Sequence, residues 1–124
     1  MNVVDSSGWL EYYAKDENSA FFAPVIQDIE SLVIPTISMY EVYKKTVLQR
    51  GEEEALSAIA WMSTGKVADM TQEIALAAAV LSLEYKMPMA DSIILATAQA
   101  NNATLWTQDE HFKDMQGVKY IIKK

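Results

Sequence analysis

The chain has 124 residues, no cysteine and a formal net charge of −7, with 51% hydrophobic and 22% charged residues. That balance suits a single globular domain over 1–124 and argues against disorder, while the absence of thiols excludes disulfides, thiolate zinc sites and thiol nucleophiles and fits a reducing cytoplasm. The acidic charge opposes nucleic-acid binding unless several acids gather around metal ions, whose charge then reverses the local field; it also leaves room for a basic partner chain.

The opening MNVVD reads as a short apolar strand ending at an acid, and the SSG that follows supplies hydroxyls to cap a helix carrying Trp9, Tyr12 and Tyr13. An acid at position 5, ahead of any long apolar run, predicts neither a signal peptide nor a membrane anchor. Phe21, Phe22, Val25, Ile26 and Ile29 predict an amphipathic helix over 20–31. A buried strand over 32–34 ends at Pro35, a helix over 38–50 stops at Gly51, and a helix over 52–64 has Gly65 just past its end.

The segment 66–70 is a weak strand, and Thr71 caps an Ala-rich helix running to about Lys86. Its apolar run IALAAAVLSL is too short to span a bilayer. Pro88 breaks that helix, so a new one runs over 91–101. ATLWT (103–107) is a fourth strand, QDEHFKDM a helical turn and VKYII a fifth strand. Strands that are apolar throughout and alternate with helices predict an α/β fold with a central, mostly parallel sheet of four or five strands, covered by helices on both faces. With four glycines in all, no phosphate-cradling GxxxxGK or GxGxxG loop occurs.

The acids fall at junctions. Asp5 ends the first strand, Glu41 lies one turn into the helix after the second, and Asp109 lies two residues beyond the fourth. Asp91 opens the helix before that strand, so its place at the same rim does not follow from spacing. Each has a local explanation. Ser38-Met39-Tyr40-Glu41 and Thr107-Gln108-Asp109-Glu110 match capping boxes, Asp5 suits a turn, and Asp91 suits a helix start. Converged into one cluster, however, such carboxylates repel unless a cation neutralises them. Oxygen donors without cysteine or a histidine pair suit Mg²⁺ or Mn²⁺, ions that activate water and stabilise phosphoryl oxygens.

In order, type and spacing, Asp5 in VVDSSGW, Glu41 in ISMYEVYKK, Asp91 in MPMADSIILATA and Asp109 in LWTQDEHF resemble the acidic signature of PIN-domain nucleases, most nearly the small VapC-like toxins of toxin–antitoxin pairs. The late block, ADSIILATA followed by L-W-T-x-D-x-x-F, is its most specific part, and the resemblance spans essentially the whole chain. It implies a three-layer α/β/α PIN-like fold and a cytoplasmic, Mg²⁺- or Mn²⁺-dependent endoribonuclease that leaves 5′-phosphate and 3′-hydroxyl ends. Asp5, Glu41, Asp91 and Asp109 match the family's catalytic and metal-binding acids, with Ser6 and Thr107 as supporting hydroxyls. Trp106 departs from the small or β-branched residue usual before that Thr. The resemblance further implies a homodimer, and an antitoxin whose segment lies in a groove near the Trp9, Tyr12, Tyr13, Phe21 and Phe22 set, with an Arg reaching the acidic pocket.

Lys44, Lys45 and Arg50 follow Glu41 on one predicted helix and are candidates for holding the RNA backbone, as are Lys113, Lys119, Lys123 and Lys124 near the C-terminus; solvated faces explain both groups as well. His111, the only histidine, reads as a surface or capping residue. Two other functions compete. A PIN-like binding module without turnover would keep the fold and bind no Mn²⁺. An aspartyl-phosphate receiver or phosphatase needs a further acid beside Asp5, where Ser6 and Ser7 stand.

Overall fold

The computed structural model describes residues 1–124. Five short strands and six helices alternate along the chain: β1 (Asn2–Val4), α1 (Ser6–Ala14), α2 (Ser19–Gln27), β2 (Val33–Pro35), α3 (Thr36–Arg50), α4 (Glu52–Met62), β3 (Lys66–Ala68), α5 (Gln72–Tyr85), α6 (Met89–Ala100), β4 (Thr104–Thr107) and β5 (Val118–Tyr120). All pairings are parallel, in ladders β1-β4-β5 and β2-β3 that a single Asn2–Leu32 bridge joins into one surface. The predicted central parallel sheet is therefore present, narrowed at its middle to one bridge.

The pleat explains the layers. Successive strand residues face opposite sides, so adjacent apolar positions feed two cores. Val3, Val33 and Leu105 pack with Ile74, Leu81, Ile93 and Ile94 of α5 and α6. Val4, Leu32 and Ile34 pack with Trp9, Phe22, Ile26, Val42 and Met62 of α1 to α4. Helices on both faces of one parallel sheet give the three-layer α/β/α arrangement expected of the PIN pattern. No helix is long and apolar enough to cross a membrane.

Local chemistry sets the element ends, not always where the sequence pattern places them. Thr71 caps α5 by accepting the Ile74 N–H at 3.2 Å. The helix expected over 20–31 ends at Gln27, and a separate 3₁₀ turn spans Ile29–Ser31. Helix α3 begins at Thr36, behind Pro35, so Ser38 is a buried residue inside the helix and no capping box forms with Glu41. Likewise α6 begins at Met89, which makes Asp91 its third residue. The predicted strand ends at Met70 and Ile122 fall short, at Ala68 and Tyr120.

One glycine is required by space. A Cβ on Gly8 would stand 2.6 Å from Val4 Cγ1 and 2.7 Å from Phe22 Cε1. Its absence lets α1 lie directly on β1 and against α2, and thereby fixes how the chain leaves Asp5.

Candidate functional site

In open α/β sheets the crevice outside the carboxyl ends of the strands is where sites form. Asp5, directly after β1, and Thr107, the last residue of β4, stand at the ends of neighbouring strands, joined there by the Asp5 N–H to Trp106 carbonyl bond of 3.1 Å. Asp109 follows two residues on, and Glu41 projects from α3, which starts directly at the end of β2. Asp91 arrives by another route. Helix α6 hands the chain to the amino end of β4 through 101–103 while packed on the sheet. It must therefore run back along the strand, which leaves its first turn at the carboxyl rim.

The four acids consequently line one cleft of about 300 Å³, together with Ser6, Ser7, Glu11, Asp16, Gln49 and Gln108. Only Leu10 and Ala14 in its wall are apolar, and its cations are Lys45 and Lys123. Such a wall suits a charged or strongly hydrated ligand and offers little to an apolar one.

Asp5 is almost fully buried and held on every side. Its Oδ1 accepts from Ser7 Oγ at 2.8 Å and from the Gly8 N–H at 3.0 Å, and its Oδ2 accepts from Thr107 Oγ1 at 2.8 Å. Asp5 itself is the N-cap of α1, the role that the sequence pattern assigns to the hydroxyls of SSG, and its carboxylate stays at the cleft. Burial pushes its carboxyl up to about 7, against the opposing pull of the Ser7, Thr107 and Gly8 donors. The charge of Asp109 adds to the rise, so the three donors do not offset burial.

The remaining acids are each oriented by a neighbour. Ser6 Oγ donates to Glu41 Oε1 at 2.6 Å, tying α1 to α3. Thr107 Oγ1, besides donating to Asp5, accepts the Asp109 N–H at 2.9 Å. Asp109 in turn caps the 3₁₀ turn Glu110–Phe112 by accepting the His111 N–H at 2.9 Å, so the Thr107–Glu110 capping box is replaced by Asp109's own cap. Asp91 is raised by burial first and by the charge of Asp109 second, while its hydrogen bond to His111 pulls the other way.

His111 is the residue that sequence reasoning undervalued. Its Nδ1 lies 2.9 Å from Asp91 Oδ2 and 3.1 Å from Asp109 Oδ1, and its pKa is raised, chiefly by the Asp91 hydrogen bond and then by Asp109. One donor atom each from Asp91, Asp109 and His111 fall within 4.8 Å of one another. The only sequence signal was its position two residues after Asp109.

The basic residues divide. Glu41, Lys45 and Gln49 lie at i, i+4 and i+8 on α3 and share the cleft face. Lys44 instead meets Tyr40, with Nζ 3.5 Å from its hydroxyl, and Arg50 pairs with Glu54 at 3.5 Å. Neither of these is brought to the cleft. Lys119 stands over the Trp106 ring at 4.7 Å, and Trp106 donates Nε1 to Asn2 Oδ1 at 2.9 Å, which accounts for a large aromatic before Thr107.

A largely buried network anchors the backbone just before Lys123. Glu11 accepts from the Asn18 N–H at 2.9 Å and from Gln108 Nε2 at 3.0 Å. Asn18 Nδ2 donates to Gln108 Oε1 at 2.9 Å and to the Ile122 carbonyl at 3.1 Å, anchoring the C-terminal segment beside the cleft.

Comparison with known proteins agrees with this geometry. The PIN domain family matches residues 3–118, and the chain belongs to that family. Among solved structures it is similar to a chain of a toxin–antitoxin complex from Klebsiella pneumoniae, with a TM-score of 0.81, 24% identity and 96% of each chain covered. It is also similar to VapC20 of Mycobacterium tuberculosis, described as a sarcin-ricin loop cleaving toxin, with a TM-score of 0.77, 14% identity, and 94% of this chain and 95% of that one covered. A chain of VapBC2 from Rickettsia felis, solved bound to a DNA fragment from their promoter, matches with a TM-score of 0.72, 16% identity, and 98% and 97% covered. No curated protein matches the chain by sequence.

Proposed function

We propose that the protein is a metal-dependent endoribonuclease and the toxin of a toxin–antitoxin pair, acting in the cytoplasm as a homodimer. The observation that carries the reading is the convergence of Asp5, Glu41, Asp91 and Asp109 on one polar cleft at the strand ends. Membership of the PIN family, and fold neighbours described as a toxin–antitoxin complex and as a toxin cleaving the sarcin-ricin loop, support the activity and the partner.

The donor set fits a hard divalent cation. Its atoms are carboxylate oxygens with one imidazole nitrogen, and a cation beside the buried Asp5 would join the Ser7, Thr107 and Gly8 donors in favouring its charged form against the burial that pushes its carboxyl up to about 7. Asp5, Glu41, Asp91 and Asp109 would hold Mg²⁺ or Mn²⁺, which activates water and neutralises charge on a phosphate. Ser7, Gly8 and Thr107 fix the Asp5 carboxylate, and Ser6 fixes Glu41, so the acids need not reorganise when substrate arrives. Lys45 and Lys123, which line the same cleft, supply positive charge for phosphates of the RNA. In the proposed hydrolysis a water oxygen bonds to phosphorus and the P–O3′ bond breaks, with the 3′ oxygen taking a proton.

Cleavage of mixed cellular RNA by the purified chain in Mn²⁺, with chelator and Asp91→Asn controls, tests the reading. Loss of cleavage in both controls supports it. Well-folded protein that cuts no RNA and binds no Mn²⁺ in calorimetry would return the chain to the binding-module alternative.

A further inference from the structure

We propose that His111 is a nitrogen ligand of the cation site and biases it toward Mn²⁺ over Mg²⁺. The inference rests on the metal-dependent reading above and adds a ligand of a different chemical kind from the four acids.

Donor atoms bound to one small divalent ion at about 2.1 Å in octahedral arrangement sit about 3 Å apart. His111 Nδ1 lies 2.9 Å from Asp91 Oδ2 and 3.1 Å from Asp109 Oδ1, hydrogen-bonding distances that also match the separation of donors shared by one such ion. The backbone holds it there. Asp109 caps the turn through the His111 N–H, Thr107 holds the Asp109 N–H, and the next residue, Phe112, is fully buried in the core. The ring needs no rearrangement to stay beside both carboxylates, and its side chain is 52% exposed, so an entering ion reaches it from solvent.

The ion chemistry then follows from the donor. Mg²⁺ favours oxygen and keeps its waters, whereas Mn²⁺, a first-row transition ion that suits carboxylates as Mg²⁺ does, takes an imidazole nitrogen more readily than Mg²⁺. An all-carboxylate site discriminates weakly between the two ions, and one imidazole tilts it toward Mn²⁺. The rival role for the same contacts is occlusion, with the protonated ring bridging Asp91 and Asp109 where the ion would bind. The two roles predict opposite effects of removing the ring.

Calorimetric titration of the metal-free full chain with MnCl₂ and, separately, MgCl₂ distinguishes them, using wild type, His111→Ala and His111→Gln. The expected result is at least a tenfold loss of Mn²⁺ affinity in both variants with Mg²⁺ affinity changed less than threefold, so that the preference collapses. Electron spin-echo spectra of bound Mn²⁺ should carry imidazole nitrogen modulation in wild type and lose it in His111→Ala. Unchanged or tighter Mn²⁺ binding in the variants, or no nitrogen modulation in wild type, overturns the proposal while leaving the nuclease reading intact. Wild-type protein that binds neither ion overturns the metal reading itself, and this proposal with it.

Discussion

Thr107 Oγ1 donates a 2.8 Å hydrogen bond to Asp5 Oδ2, joining the ends of two adjacent strands whose residues are 102 positions apart in the chain. The same oxygen accepts the Asp109 N–H at 2.9 Å, so one buried hydroxyl sets the positions of two acids. Thr107→Val keeps the shape and leaves both groups without their partner, at a cost of about 1–3 kcal/mol. The expected outcome is a lower thermal midpoint and weaker RNA cleavage, with Thr107→Ser recovering most of the cleavage. Full activity in the valine variant would show that the hydroxyl does not organise the site.

Much of this was legible because it depends on local chemistry. Asp5 and Asp109 are placed by where strands end, and the apolar strands with intervening helices gave the layers. Glu41, Lys45 and Gln49 form a readable i, i+4, i+8 stripe, and that stripe separates Lys45 from Lys44, which the sequence reading grouped together. Asp91 was not placeable, since its position depends on α6 folding back along β4. The Glu11–Gln108 bond, across 97 positions, carries no periodic signal at all. The role of His111 was hidden by the 3₁₀ turn that aims it at two carboxylates. The helix starts at Thr36 and Met89 were missed because Pro35 and Pro88, which stop what precedes them, also hold the non-helical backbone of an N-cap residue, with ψ of 136° and 156°.

Gly8 is a packing device as much as a capping donor. Because a Cβ there would come within 2.6 Å of Val4 Cγ1 and 2.7 Å of Phe22 Cε1, both fully buried, Gly8→Ala forces α1 away from β1. Overpacking of this kind costs about 2 kcal/mol, on the order of 8 °C in a chain of this size. Phe22→Leu opens space at that contact, so the double variant should be more stable than the sum of the two single losses. Strict additivity in a denaturant double-mutant cycle would disprove the contact.

The raised Asp5 carboxyl carries a pH signature of defined sign. Its usual value is 3.8 and in the folded chain it is pushed up to about 7. Between those values the folded protein holds a proton that the unfolded chain has released, so stability is fully present below about 3.8 and falls as pH rises toward 7. Asp91 and His111, both raised, slope the same way. In metal-free buffer the stability of wild type, followed by its thermal midpoint, should therefore fall relative to Asp5→Asn from pH 5 to 7, by at most about 1.4 kcal/mol per pH unit. Saturating Mn²⁺ should raise the wild-type midpoint more at pH 8 than at pH 5, because the carboxylate it neutralises is charged only at the higher value. Parallel pH profiles for wild type and Asp5→Asn would remove Asp5 as the source.

The two cations at the cleft and the two beside it on α3 make an internal control for nucleic-acid binding. Lys45 and Lys123 line the cavity with the acids, whereas Lys44 is engaged with Tyr40 and Arg50 with Glu54. A lysine that neutralises a phosphate releases counterions, contributing about 0.7 to the slope of log affinity against log salt for a single strand. In an Asp91→Asn background, which prevents cleavage, Lys45→Gln with Lys123→Gln should weaken binding of a fluorescent RNA and flatten that slope by roughly 1.4, two contacts' worth. Lys44→Gln with Arg50→Gln removes the same formal charge from the molecule and should leave the slope nearly unchanged. Equal flattening by both pairs would mean that RNA responds to the net charge of the chain, and that the cleft lysines hold no phosphate.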